Sequence, residues 1–318
     1  MLETYYIREV IRLMFIGLSY APDARVKEDY IKEIIKFKYF EIPYKKDKIT
    51  PLQMREIPDL NSDTLYVMGV YYFFLKQVVK INIPKIWGFH NPVLMNPQSY
   101  FQKRILEKIL PKFDYIHILN EKQRKLIKNN NVYLLENTYL EELPEKMNKY
   151  DKFTVIFFGR HEKNKGIYTV KYIAENLPND IDLIIAGTGS ESYILNNIRR
   201  ENVKILGFLD DNKLSEIISK SHLVLFPSEN ESSSLVSVES LAHCTPLIYK
   251  PIPENYMLQK IQFNIQANND IDFLKGIMLK YNEYIKDKEK YISECYKLPQ
   301  YLISKEEYIN KFIEYFLS

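Results

Sequence analysis

Apolar runs of strand length alternate with stretches of helical period along most of the chain. This alternation limits the possible folds more than any other feature. Leu13 to Ser19 reads as a strand, and Val26, Tyr30, Ile31, Ile34 and Ile35 then mark one helical face. Leu65 to Val70 is a second strand, followed by a helical stretch to Lys80. Lys85 to Gly88 is a third, with a helix from about Ser99 to Leu110 after it. Asp114 to Leu119, a helical stretch over 121–129 and Val132 to Leu135 continue the series. The pattern restarts with strands at 153–158, 181–186, 203–206, 223–226 and 246–249, and helical stretches at 167–177, 192–199, 213–219 and 235–242. Strands separated by helices build parallel sheets covered on both faces. The polar stretch from Tyr139 to Lys152 reads as a linker, so the chain divides into two doubly wound α/β halves. We expect domains at 1–150 and 151–300, and a terminal helix over 301–318. Tyr308, Phe312, Ile313 and Phe316 of that helix form an apolar face that must pack on something.

Composition removes several classes of function. With 44 basic against 41 acidic residues, the chain is too balanced to argue for nucleic acid. Apolar content of 46% over 318 residues supports large cores. Cys244 and Cys295 are the only cysteines, without the spacing of a zinc site or a disulfide framework, so a reducing cytoplasm is the expected setting. Charged residues interrupt the N-terminus, which does not read as a signal peptide. The longest apolar run, Leu65 to Leu75, is short of the ~18 residues of a membrane-spanning helix.

The densest chemistry lies between Pro227 and Ala242. Here Leu223 to Phe226 reads as a strand, and Leu235, Val238, Leu241 and Ala242 as a helix face. Ser232 to Ser234 stand where the helix begins, and Ser is a good N-cap. Glu231 therefore lies on a loop above a strand end, with Glu239 about a turn inside the helix. The helix start between them, at Leu235 and Val236, is a natural seat for a phosphate. A second turn, Gly159 to Gly166, follows the 153–158 strand and carries Arg160 and Lys165. In open α/β sheets ligands sit beyond the carboxyl ends of the strands. Arg offers phosphate a bidentate fork and Lys a mobile charge. Gly187-Thr188-Gly189 ends a third strand, but Ser192 stands where a dinucleotide fingerprint needs its third glycine.

Taken in order, Gly159-Arg160, Lys165-Gly166, Ile184 to Gly189, Ile205 to Leu209, and Phe226-Pro227-Ser228 with Glu231 and Glu239 resemble the nucleotide-binding half of the family-4, or group 1, retaining glycosyltransferases. The resemblance covers residues 153–250 well. It is looser in the first half, through Trp87 to Asn91, Asp114 to Asn120 and Glu136 to Thr138. It implies a GT-B fold of two Rossmann-like domains facing across a cleft. The first domain would bind the acceptor and the second the nucleotide sugar, with the terminal helix returning to the first domain. Transfer would proceed with retention and without a metal or other cofactor. By position it implies that Arg160 and Lys165 hold the donor diphosphate, with the amides around Leu235 and Val236 beneath it. Glu239 would bind the ribose. Glu231, with Ser233 and Ser234 beside it, would reach the donor sugar, and His90 would line that sugar from the first domain. The chain departs from the family at Ser232 to Ser234 and at Cys244, where glycines are usual.

The other candidates read as structural. His117, His222 and His243 lie in or beside strands and helix ends, and His161 reads as exposed. Asp180-Ile181-Asp182 and Asp270-Ile271-Asp272 match a metal-binding Asp-x-Asp pattern, but they fall at a strand start and a helix N-cap region. Residues 97–112 set Phe101, Ile105, Leu106 and Ile109 against Lys103, Arg104, Lys108 and Lys112, which reads first as an ordinary helix of a doubly wound domain and second as a helix lying on an anionic membrane. The expected partners are a nucleotide-sugar donor and a glycan or lipid-linked acceptor; that family members often act on lipid-linked acceptors keeps peripheral membrane contact through residues 97–112 as the second reading. The alternatives are an epimerase or phosphorylase of the same fold, a nucleotide-sugar-binding protein without turnover, and, less favoured, an NAD-dependent oxidoreductase.

Overall fold

A computed structural model of the chain describes residues 12–19, 36–43, 64–68, 72–80, 82–89, 94 and 97–316, apart from 140, 141, 232 and 253–255. The chain forms two compact units. One comprises Met1–Glu136 and Lys305–Ser318, the other Asn137–Ser304. The division thus falls before the expected boundary at 150. Residues 142–152 have no regular secondary structure but belong to the second unit. There Tyr139 packs against Val238 and Ala242, and the Tyr150 N–H donates to the Lys220 carbonyl at 2.9 Å.

The first unit is built on a parallel sheet in the order β2-β1-β3-β4-β5-β6. Its strands are β1 (Arg12–Ser19), β2 (Lys36–Pro43), β3 (Thr64–Met68), β4 (Lys85–Gly88), β5 (Tyr115–Ile118) and β6 (Val132–Leu134). Sequence reasoning missed β2. It lies at the sheet edge, and in the sequence Lys36 and Lys38 interrupt the apolar run that marks a central strand. The helical face expected over 26–35 lies outside the described residues. Over 121–129 only Glu121–Arg124 is α-helical, and the Asn129 side-chain amide donates to the Leu110 and Phe113 carbonyls.

The 97–112 segment is helical but changes pitch. An α-turn at Tyr100–Arg104, started by a Ser99–Gln102 capping box, becomes a π-turn at Ile105–Ile109 and a 3-10 turn at Leu110–Lys112. Ile105, Leu106 and Ile109 are in the unit's core. They pack as in an ordinary helix of a doubly wound domain. Tyr100 and Phe101 remain 66% and 46% exposed, with Lys103, Lys108 and Lys112 on the outer surface.

The terminal helix Lys305–Phe316 belongs to this first unit. Phe312 and Phe316 lie against the ring of His117. The Tyr66 hydroxyl donates to His117 Nδ1 at 2.6 Å, and His117 Nε2 donates to the Leu135 carbonyl at 2.7 Å. Burial lowers the His117 pKa to about 4, against a weaker opposing effect of the Leu135 bond. The neutral ring is a structural tie.

The second unit has strands β7 (Thr154–Phe158), β8 (Asp182–Ala186), β9 (Val203–Gly207), β10 (Leu223–Phe226), β11 (Leu247–Tyr249) and β12 (Ile265–Gln266). Their parallel order is β12-β11-β10-β7-β8-β9. Val155 and Phe157 of β7 enter one core layer and Ile156 and Phe158 the other, as a sheet buried on both faces requires. Truncating such a buried phenylalanine to alanine typically costs about 3–5 kcal/mol. Strand order reverses between β7 and β10, and the crevice above such a reversal is where doubly wound sheets bind ligands.

Candidate functional site

Two loops meet above that reversal. The loop after β7 ends in a 3-10 turn, Lys163–Lys165, and in Gly166, whose φ of +75° opens the helix Ile167–Asn176. The loop after β10 runs from Pro227 to the N-cap Ser234. They touch: a Cβ on Gly166 would lie 2.5 Å from the Pro227 carbonyl oxygen, so only glycine fits. The Glu229 N–H donates to the Asn164 carbonyl at 2.9 Å across the same seam.

This contact brings Lys165 and Glu231 together. Lys165 Nζ donates to Glu231 Oε1 at 2.7 Å, and the two side chains are 22% and 12% exposed. The Ser228 hydroxyl donates to the same oxygen at 2.6 Å. The lysine expected at a phosphate and the acid expected at a sugar are thus paired with each other. Arg160 stands on the β7 loop with its side chain 56% exposed, and Nη1 donates to Glu162 Oε1 at 2.9 Å.

Ser234 caps the helix Leu235–Ala242, its Oγ accepting the Ser237 N–H at 3.1 Å. The N–H groups of Leu235 and Val236 have no acceptor within the helix, by helix geometry. Glu239 is half-buried on the next turn. Val238, Leu241 and Ala242 are buried as expected, but Leu235 is 42% exposed. Ser233 is held by a residue that sequence reasoning placed only in the family pattern: the Asn137 N–H donates to Ser233 Oγ at 3.3 Å, and Asn137 Nδ2 donates to its carbonyl at 3.2 Å. Ser232 and His90 lie outside the described residues.

His161 corrects an expectation. It is 1% exposed rather than solvated. His222 and His243 are structural ties as read. His222 Nδ1 accepts the Thr154 N–H at 3.1 Å with the ring stacked on Phe153, and burial lowers its pKa to about 3. His243 Nδ1 lies 2.8 Å from Ser219 Oγ. The Asp-x-Asp acids are engaged elsewhere: Asp182 pairs with Lys152, and Asp270 accepts the Thr169 hydroxyl at 2.6 Å. Among the described residues no three His, Cys, Asp or Glu side chains gather as metal ligands would. No described helix is long and apolar enough to cross a membrane.

The geometry matches known proteins. Residues 140–294 match the family described as glycosyl transferases group 1. The processive diacylglycerol alpha-glucosyltransferase of Acholeplasma laidlawii is 23% identical over 301 residues, covering 90% of this chain and 84% of that protein. The Anabaena protein Alr3699/HepE, solved with UDP and glucose, superposes with a TM-score of 0.71 at 14% identity, over 97% of this chain and 100% of that one. TarM of S. aureus, solved with fondaparinux, alpha-GlcNAc-glycerol and UDP, superposes at 0.65 and 16% identity. The match to TarM covers 80% of this chain and 55% of the longer TarM chain. The fold is GT-B.

Proposed function

Taking as premise that the chain belongs to the group 1 glycosyl transferases, we propose that it moves a sugar from a nucleoside-diphosphate sugar to an acceptor with retention of configuration and without a metal. The observation that carries this reading is the Lys165–Glu231 pair beside the capped start of the Leu235–Ala242 helix, above the point where strand order reverses. Arg160, Lys165 and the amides of Leu235 and Val236 take the diphosphate. Glu239 takes the ribose. Glu231, with Ser233 and Ser234, takes hydroxyls of the donor sugar.

In the reaction the bond from the anomeric carbon to the phosphate oxygen breaks, and its electron pair leaves with the nucleoside diphosphate. The acceptor oxygen bonds the same face of the sugar, and its proton passes to the departing phosphate. Charge grows on that phosphate in the transition state, where preorganised cations and amides act most strongly, and one such donor is commonly worth ~10²–10³ in rate. The cationic groups at this site supply the charge that a divalent ion supplies in other transferases.

A thermal-shift panel with UDP, GDP, ADP and NAD, each with Mg²⁺ or EDTA, tests the donor site on wild type and Arg160→Ala. The reading expects one nucleoside diphosphate to stabilise the protein equally in both conditions, and the mutant to lose the shift. A shift with NAD alone would overturn it. The anomeric configuration of the product, read by NMR, tests retention. Release of an epimer or a sugar phosphate would point to the alternative reactions, and binding without any turnover to a nucleotide-sugar-binding protein.

The same reading includes a membrane-linked acceptor and peripheral contact through residues 97–112. Tyr100 and Phe101 are exposed among Lys103, Lys108 and Lys112, and Arg104 lies over the Tyr100 ring at 5.5 Å. Between residues 64 and 136 eleven Lys and Arg face four Asp and Glu, against near balance in the whole chain. Exposed aromatics among cations suit an anionic bilayer surface. Replacing Lys103, Lys108 and Lys112 by Glu should abolish sedimentation with vesicles containing phosphatidylglycerol. Unchanged sedimentation would remove the contact.

A further inference from the structure

The loop carrying Arg160 is clasped by the loop that follows β8. The Gly159 N–H donates to the Ala186 carbonyl at 3.2 Å, and the His161 N–H to the Thr188 carbonyl at 3.0 Å. The Glu191 N–H returns a bond to the His161 carbonyl at 3.0 Å. Glycines permit this approach. A Cβ on Gly187 would lie 1.9 Å from the Gly159 oxygen, and one on Gly189 2.4 Å from the His161 oxygen.

The buried ring of His161 stands at the centre of the clasp. Its Nδ1 is 2.9 Å from Ser192 Oγ, which also accepts the Gly189 N–H at 3.0 Å. A hydroxyl has one proton and two lone pairs. With Gly189 on one lone pair, Ser192 Oγ bonds Nδ1 in either tautomer of the ring, through its proton or its second lone pair. Burial lowers the His161 pKa, in keeping with a neutral ring. Nε2 is buried, and the ring's interaction with the Ala186 carbonyl weakly opposes that lowering. An apolar side chain would fill the same space. What the imidazole adds is its bond to Ser192, the residue standing where a dinucleotide fingerprint would have its third glycine.

We infer that His161 and Ser192 are positioning residues for the donor diphosphate: their bond pins the Gly159–His161 backbone to the β8 loop and so aims Arg160. The inference rests on the donor site proposed above. Arg160 sits between two pinned residues, and its own carbonyl accepts the Glu162 N–H at 2.9 Å. Its direction is therefore set by the clasp rather than by a helix.

A double-mutant cycle tests this with UDP as the probe. His161→Phe should weaken UDP binding by calorimetry about tenfold, and by less than about twofold when Arg160 is already Ala, because residues acting through one another are non-additive. Ser192→Ala should behave like His161→Phe. His161→Asn, which keeps a short acceptor, should recover most of the affinity. Equal losses in both Arg160 backgrounds, or no loss, would make His161 a core residue only and overturn the inference. Amide exchange of residues 159–166 in the ligand-free protein separates this inference from the donor reading. If none of UDP, GDP and ADP binds wild type, the donor reading fails, yet His161→Phe and Ser192→Ala should still accelerate exchange there. Unchanged exchange would refute the clasp itself.

Discussion

Replacing Glu231 by Gln should move nucleotide binding and sugar transfer in opposite directions. The carboxylate is 2.7 Å from Lys165 Nζ, so it both occupies the lysine and repels any phosphate placed beside it. A diphosphate oxygen on the far side of Nζ would be roughly 6 Å from the carboxylate, where two unit charges repel by ~3 kcal/mol at an effective dielectric of about 20. Exposure of 22% and 12% and the freedom of the lysine reduce this, leaving about 1–2 kcal/mol of relief in Glu231→Gln. UDP without a sugar should then bind about five- to thirtyfold more tightly. On the proposed reading, in which Glu231 takes donor-sugar hydroxyls, transfer should fall, because an amide holds them less strongly than a carboxylate does. Calorimetry with UDP and a product assay with the sugar donor measure the two effects. UDP binding that weakens or stays unchanged would refute the argument that Lys165 faces the phosphates.

Three further outcomes follow from the same structure. Ser233→Gly removes the acceptor of the Asn137 N–H and should cost about 0.5–1.5 kcal/mol in urea unfolding, while Ser233→Thr should keep the bond. Cys244 has a φ of 54°, so Cys244→Gly should lie within about 1 kcal/mol of wild type, relief of strain offsetting the lost thiol, whereas Cys244→Val should cost more than about 2 kcal/mol by calorimetric melting. Acid should destabilise both units. His117 and His222 are held neutral with pKa values lowered to about 4 and about 3, so below the ordinary value of 6.5 the unfolded chain binds protons that the folded chain refuses. The stability is fully present above pH 6.5 and falls as pH drops toward those values, by about 1.4 kcal/mol per pH unit for each histidine, as denaturant midpoints at pH 7, 5.5 and 4.5 would show.

Much of the second sheet was legible because its strands are buried on both faces and so read as unbroken apolar runs. β7 and β10 were visible as TVIFF and LVLF. The edge strand β2 was hidden by its lysines, and β12 is only two residues long. The two loops of the candidate site were legible from their glycines, serines and charges. Their meeting was not, because the Lys165–Glu231 pair spans 66 positions and depends on β7 and β10 being neighbours. His161 was misread for a related reason. It lies in a turn of charged residues, and what covers it comes from Gly189 to Ser192, a separate loop that crosses over it. Local polarity reports exposure only where no other segment crosses.

The departures from family glycines have different physical consequences, and together they describe a loop fixed by side-chain bonds. Ser234 is an N-cap, a role serine fills better than glycine by a few tenths of a kcal/mol. Ser233 gains a hydroxyl that accepts the Asn137 N–H, a bond glycine cannot make. Cys244 gains nothing in conformation. It stands just past the helix end in the left-handed region, where glycine is the usual residue. The turn is nevertheless fully bonded: the Thr245 N–H donates to the Ser240 carbonyl at 2.9 Å and the Cys244 N–H to the Leu241 carbonyl at 3.1 Å. Lys149 adds a bond from Nζ to the Cys244 carbonyl at 2.9 Å, bringing a cation to the negative end of the helix whose other end is the proposed phosphate seat. The strained residue is therefore held by contacts from outside the helix. The Leu235–Ala242 helix is tied at both ends by residues from the Asn137–Lys149 stretch, which connects it to the start of its own unit.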